Sequence, residues 1–229
     1  SGGKGGSGGF GKTPGVLRYV LTTEPTTLDP ARVSDGPTID MLQDAHLGLV
    51  GWNEKTEVVA TGAAQMPTVS ADGKVYTFVL RDGLKFHNGR AVTSEDVKYS
   101  LTRALSKDLN SPVAMNYLND IVGAKAVAEG KAGELAGVTT PDPKTVVIAL
   151  TEARPYFLGK LTYPTGYILA KEEVEKGPVV VGGTAKTIGP ENAGSAGCGP
   201  FRIASYTPQD RVVLEAFPDF VLGAPKLTR

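Results

Sequence analysis

Between Ala71 and Leu105 the spacing of hydrophobic residues changes period. Val75 to Leu80 is a run of β-branched and aromatic side chains ending at Arg81, which predicts a buried strand. Asp72-Gly73 before it, and Asp82-Gly83 and Asn88-Gly89 after it, supply turn chemistry around a short second strand. From Thr93 onward the repeat lengthens to four, and Val97, Leu101 and Leu105 form one buried stripe of a helix. Thr93 suits its N-cap, and Glu95 and Asp96 place negative charge in the first turn, where the helix dipole favours it.

The same reading extends along the chain. Val16 to Leu21 is an apolar run and predicts a first strand, whereas Pro25 and Pro30 bar regular structure just after it. Pro37 to Gly51 carries Ile39, Leu42, His46 and Leu49 on one side, predicting a helix that ends at a glycine. A turn at Trp52-Asn53-Glu54 follows. Ser111-Pro112 opens a helical stretch through Tyr117, Leu118, Ile121, Val122 and Ala126, and Pro141-Asp142-Pro143 turns into a strand over Thr145 to Leu150. Pro155 to Leu161 reads as a short helix, Tyr167 to Ala170 as a strand, and Lys171 to Lys176 as a helical turn. In that turn Glu172, Glu173 and Glu175 form a solvated face. Gly177 to Gly199 is an unpatterned, glycine-rich loop. Phe201, Ile203 and Ser205 then alternate with Val212 and Leu214 across Pro208-Gln209-Asp210, a hairpin. Helices and strands mix without regular alternation, so the predicted class is α/β to α+β mixed.

Composition narrows the function. The 229 residues carry 24 lysines plus arginines and 24 aspartates plus glutamates. This balance argues against a nucleic-acid partner and against a polybasic membrane patch. No apolar run is long enough to span a bilayer. Residues 1–13, dominated by glycine, are expected to be a flexible linker, either an expression tag or a stalk below a lipid-modified N-terminus. His46 and His87, the only histidines, do not have metal-ligand spacing with the other candidate ligands, and neither a metal nor a cofactor is implied. Cys198, the lone cysteine, reads as a small residue filling a tight turn between glycines. A nucleophile there would need a histidine beside it. Asp29 beside Pro30 reads as a local turn residue rather than half of an acid–base pair with Glu24.

The order of pieces from Ala71 to Arg103 resembles a signature of the extracytoplasmic solute-binding proteins of family 5, the peptide- and nickel-binding group that serves ABC importers. Four further stretches stand in that family's order: Leu28-Asp29-Pro30, then Gly48-Leu49-Val50, then Cys198-Gly199-Pro200-Phe201 with Arg211 to Leu214, then Phe217 to Lys226. The resemblance implies a periplasmic binding protein type II-like N-terminal lobe. Its core subdomain would be residues 14–47 plus 151–229, its inserted subdomain 48–150, and the second lobe would be absent. A partner chain or missing lobe would then complete it.

By the same resemblance the protein is not an enzyme. It would capture a peptide or similar small solute outside the cytoplasmic membrane, in the periplasm or at the cell surface, and pass it to an ABC permease. The loop after Leu28-Asp29-Pro30 would face the ligand, making Ser34, Asp35, Gly36 and Thr38 candidate ligand-binding residues. Thr38 also stands at a good N-cap position. Some peptide binders carry a tyrosine where this chain has Val113, and Tyr117, one turn on, is the candidate substitute. The alternative reading is a stand-alone interaction or dimerisation module built from the lobe.

Overall fold

The computed structural model describes residues 13–181 and 183–229, so nearly all of the predicted linker lies outside the described residues. Its centre is a four-stranded antiparallel sheet of β3 (Thr68–Val69), β4 (Val75–Val79), β5 (Val138–Asp142) and β6 (Thr145–Ala149), in the order β3-β4-β6-β5; a small hairpin of β1 (Val50–Trp52) and β2 (Val58–Ala60) precedes it. The register sets Tyr76 opposite Ile148 and Phe78 opposite Val146, so these four side chains share one face, and all four are buried. Helix α2 (Ser94–Leu105) covers that sheet with its predicted stripe of Val97, Leu101 and Leu105. Enclosing one such side chain completely, as for Phe78, stabilises by about 2–3 kcal/mol. The N-terminus of α2 is fixed as the sequence suggests: Thr93 N–H and Oγ1–H both donate to the Asp96 carboxylate, at 2.8 and 2.9 Å.

A second apolar cluster gathers round α1 (Gly36–Ala45), where Met41, Leu42 and Ala45 meet Leu28, Val33 and Leu169. This helix is shorter than its pattern predicts. It stops at His46, and the chain continues extended because Gly48 O accepts Gly62 N–H and Thr61 Oγ1–H, both at 2.9 Å. Leu47 and Leu49 therefore belong to the sheet cluster instead. The stretch from Ser111 likewise forms two helices, α3 (Ala114–Leu118) and α4 (Ala124–Ala128), parted by Gly123 at φ +86°. Tyr167 to Ala170 makes a single bridge, Gly48 to Tyr167, rather than a strand. Val16 to Leu21 does not form a strand among the described residues. Leu17 N–H bonds Arg229 O at 3.1 Å, and Leu17 and Val20 stay 60% and 80% exposed. The short second strand expected between Asp82-Gly83 and Asn88-Gly89 is reduced to the single bridge Lys85 to Ala91, and Trp52 belongs to β1, so the turn expected at Trp52 begins at Asn53. Three predicted elements do form: α5 (Phe157–Leu161), α6 (Lys171–Val174) and the hairpin of β7 (Phe201–Thr207) and β8 (Arg211–Ala216).

Charged residues join the two clusters. Asp29 is fully buried and receives the Arg103 guanidinium of α2, the Thr187 hydroxyl (2.5 Å) and the N–H groups of Ala31 and Ile188 (3.0 and 3.3 Å). Burial alone would push its carboxyl up, but Arg103 and these hydrogen bonds outweigh that and hold it below the ordinary carboxylate value. The local bond to Ala31 agrees with the turn expected at Asp29; the partner 74 residues away does not follow from it. The glutamates of α6 are also not a plain solvated face. Glu172 takes the Arg90 fork at 2.6 and 2.9 Å, and Glu173 is buried and accepts from Ser195, Asn88 and Lys176.

Candidate ligand-binding surface

Loop 33–36 leads into α1, and its geometry follows from how that helix starts. Asp35, not Thr38, is the N-cap. Its Oδ1 accepts Thr38 N–H at 3.0 Å, and its Oδ2 accepts the Thr26 hydroxyl at 2.6 Å. Pro37 explains the earlier start, since a residue without an N–H is tolerated in a first turn whose donors have no intrahelical partner. The hydrogen bonds from Thr26 and Thr38 overcome the burial penalty and keep the Asp35 carboxyl below its usual value. Thr38 is only 1% exposed, and its hydroxyl oxygen accepts Thr26 N–H at 3.3 Å. Ser34 is exposed. A Cβ placed on Gly36 would meet nothing within 4 Å, so the space before this backbone is open.

Tyr117 projects from α3 and stacks on Tyr163, with ring centroids 3.6 Å apart and planes 9° from parallel. The Tyr163 hydroxyl in turn donates to Val33 O at 3.1 Å. Burial, then the neighbouring Tyr117 and the field of Asp35, push the Tyr163 phenol up to about 12, so it remains a donor. Tyr163 therefore links Tyr117 to Val33, the residue that precedes Ser34, Asp35 and Gly36. Sequence reasoning missed it; the available signal was an aromatic residue just before Pro164, past the end of a short helix. Two further bonds clamp the loop from the α3 side: the Ser111 hydroxyl to Ala31 O at 2.5 Å and Arg32 Nη1 to Leu109 O at 3.2 Å. Val113 is half-buried at the N-cap of α3.

The other chemical candidates take scaffold positions. Cys198 is buried with its Sγ 3.9 Å from Leu47 O and Ile168 O, and burial pushes its thiol up to about 12, the opposite of an activated nucleophile. The flanking glycines are there for close approach: a Cβ on Gly197 would lie 2.3 Å from Ala45 O, and one on Gly199 2.5 Å from the Ala45 carbonyl carbon. Among the described residues, groups of three His, Cys, Asp or Glu side chains placed to hold a metal are absent. An open groove of about 690 Å³ runs between α2 and residues 171–186, lined by Tyr99, Arg103 and Lys186 among others. Ser34, Asp35, Gly36, Thr38 and Tyr117 do not line it.

The family model described as bacterial extracellular solute-binding proteins, family 5 Middle, matches residues 57–229. The chain belongs to this family, a family of solute-binding proteins rather than enzymes, and its fold is that of a type II periplasmic binding protein lobe. Among curated proteins it is similar to the periplasmic murein peptide-binding protein MppA of Escherichia coli (strain K12), 36% identical over 164 residues, covering 71% of this chain and 30% of the relative. It is also similar to the oligopeptide-binding protein OppA of Bacillus subtilis (strain 168), 32% identical over 177 residues, covering 77% and 32%. Among solved structures, the Escherichia coli murein tripeptide binding protein MppA superposes with a TM-score of 0.76 at 31% identity, over 86% of this chain and 37% of that one. The substrate-binding domain of an oligopeptide ABC transporter from Bacillus anthracis gives 0.82 at 25% identity, over 92% and 39%. The chain thus spans about a third of the length of the curated relatives it matches. Among the described residues no helix is long and apolar enough to cross a membrane.

Proposed function

We propose that this chain supplies the ligand-capturing surface of an ABC importer's solute-binding protein, taking up a peptide or a similar small solute outside the cytoplasmic membrane for transfer to the permease. The observation that carries this reading is that Tyr163, stacked on Tyr117, bonds Val33 O immediately before exposed Ser34, helix-capping Asp35 and open Gly36. An extended peptide is held chiefly by main-chain hydrogen bonds, and Gly36 lets its backbone come close. Ser34, Asp35 and Gly36 are the contacting residues in this reading, with buried Thr38 holding the Asp35 cap through its N–H and Tyr117 giving the surface an aromatic wall. Family membership and the near relatives support the peptide class. The buried, high-pKa Cys198 argues against a cysteine nucleophile at that position.

The lobe divides, in this reading, into a core of residues 14–47 plus 151–229 and an insert of 48–150. One apolar cluster lies wholly in the proposed core, whereas the insert's cluster also takes in Ala31, Leu47, Phe157, Leu161, Ile168, Ala170 and Cys198 of the core. The test is an amide and aromatic NMR titration with mixed tripeptides. A single open surface encloses a ligand on one side, so binding is expected in the millimolar range, with shifts concentrated at the amides of residues 34–36 and the rings of Tyr117 and Tyr163. Shifts that gather instead along the α2 groove, or none at saturating peptide, would remove the proposal.

A further inference from the structure

Two buried imidazoles that the ligand surface does not use touch a single turn. His46 closes α1, and His87 lies on the loop between β4 and α2. The turn Gly197-Cys198-Gly199 reaches both. Gly199 N–H donates to Ala45 O at 3.1 Å, His87 N–H donates to Gly197 O at 2.8 Å, and the Cβ direction of Gly197 points 2.8 Å from His46 Nδ1. The His87 ring lies 3.0 Å from Gly199 O through Nε2, and because a carbonyl only accepts, that nitrogen carries the proton. Among the described residues this leaves His87 Nδ1 buried without a hydrogen-bond partner, and both nitrogens of His46 are in the same state. The His46 ring stacks on Tyr167 with centroids 6.0 Å apart. A second proton on either ring would therefore create a charged N–H that has no acceptor.

The charged groups around the pair do not supply one. Asp29 is the carboxylate whose field favours a charged His46, but Arg103, Thr187, Ala31 and Ile188 already occupy it. His87 opposes charge on His46, and Arg202 of β7 opposes charge on His87. Asp96, towards Cys198, is held by Arg90 and Thr93. Asp44, towards Tyr167, has its own carboxyl pushed up by burial and by Asp40. Burial dominates, holding His46 at about 3 and His87 at about 4.

We propose that this junction is an acid-sensitive latch: protonation of His46 and His87 detaches the Gly197–Gly199 turn from the end of α1 while the rest of the chain stays folded. Both imidazoles regain water in the detached form, so mild acid draws the equilibrium towards it. Each adds up to about tenfold to the open population per pH unit below about pH 6, and the two together about a hundredfold. The turn runs straight into β7, and α1 carries Asp35 at its opposite end. If the proposed ligand surface is right, the latch would couple pH to the helix that holds it, but the latch itself stands without that reading.

Cys198 is a built-in reporter, since detaching the turn exposes its buried thiol. The experiment follows modification of Cys198 by a dithiodipyridine reagent, each rate divided by that of the urea-unfolded chain at the same pH, with far-UV circular dichroism in parallel. Expected is a normalised rate that climbs towards about a hundredfold per pH unit between about pH 6 and pH 4.5 while the dichroism is unchanged. His46→Phe and His87→Gln should each cut the slope to about tenfold. A flat rate, or a rise that appears only as the dichroism collapses, overturns the latch. Should a variant fail to fold, proton NMR of the unaltered chain decides. Amides of Gly197 and Gly199 that broaden as the pH falls support the latch. Rings that titrate at the ordinary histidine value beside sharp amides overturn it.

Discussion

Asp29 shows at the scale of one residue how a motif can be read correctly and incompletely. Beside Pro30 it makes the local bond to Ala31 N–H that its sequence position suggests. Nothing in Leu28-Asp29-Pro30 announces Arg103 or Thr187, because partners 74 and 158 residues away are chosen by the tertiary fold. Asp29→Asn would leave Arg103 as a buried charge without its counter-ion, an expected loss of about 3–5 kcal/mol in urea unfolding. Asp29→Leu combined with Arg103→Met should recover most of that loss, because an apolar pair avoids the desolvation that the ion pair must overcome. The pH sign follows from the lowered carboxyl. The stabilisation is complete above the unfolded-state value of about 3.9 and disappears as pH falls through the folded one. A variant with Asn at this position should therefore lose its deficit relative to the parent in strong acid. The same gap between local signal and distant partner hid Tyr163, whose value to the site lies in Val33 and Tyr117.

For elements, legibility tracked how much of the determining information was local. The β4 strand, the α2 helix with its acidic first turn, and the β7–β8 hairpin could be read because residues within each element specify them. The errors came where pattern and neighbour disagree. Val16–Leu21 has the composition of a strand, but an apolar run becomes one only when another edge pairs with it. The pattern of α1 continued past His46 because Leu49 falls in phase, although the backbone had already turned to meet Thr61 and Gly62. Between α3 and α4 the deciding residue is Gly123, at φ +86° and with a Cβ position 3.1 Å from Ala136 N. Helical propensity favours alanine, so the sequence pattern alone would predict that Gly123→Ala stabilises a continuous helix. The geometry predicts the reverse, a loss of about 1–3 kcal/mol in thermal or urea unfolding, because the left-handed conformation and the crowding both oppose a side chain.

The whole molecule raises the question of whether the proposed insert, residues 48–150, and the proposed core behave as one unit. Their chain segments are separate, and a loosely attached insert would unfold on its own. The contacts between them argue otherwise. Arg103 of α2 is held by Asp29, Arg90 by Glu172, and the His87 ring by Gly199, so three side chains of the signature segment anchor in the core. Tyr76 of β4 packs on Phe157 of α5 with ring centroids 5.1 Å apart, and Ser111 and Arg32 tie the loop before α3 to residues 31–32. Removing either part would uncover apolar surface and strand a buried charge in the other, which is the condition for all-or-none unfolding. Two intrinsic probes report on the two parts: Trp52 on β1 of the insert and Cys198 in the core turn. At neutral pH, where both histidines are uncharged, the urea midpoint from Trp52 fluorescence should coincide with that from Cys198 protection, and Asp29→Asn should move both by the same amount. A Cys198 transition at clearly lower urea than that of Trp52 would mean that the core opens first. The signature segment would then be a scaffold for the insert alone, and the links through Asp29, Glu172 and Gly199 would contribute little to holding the lobe together.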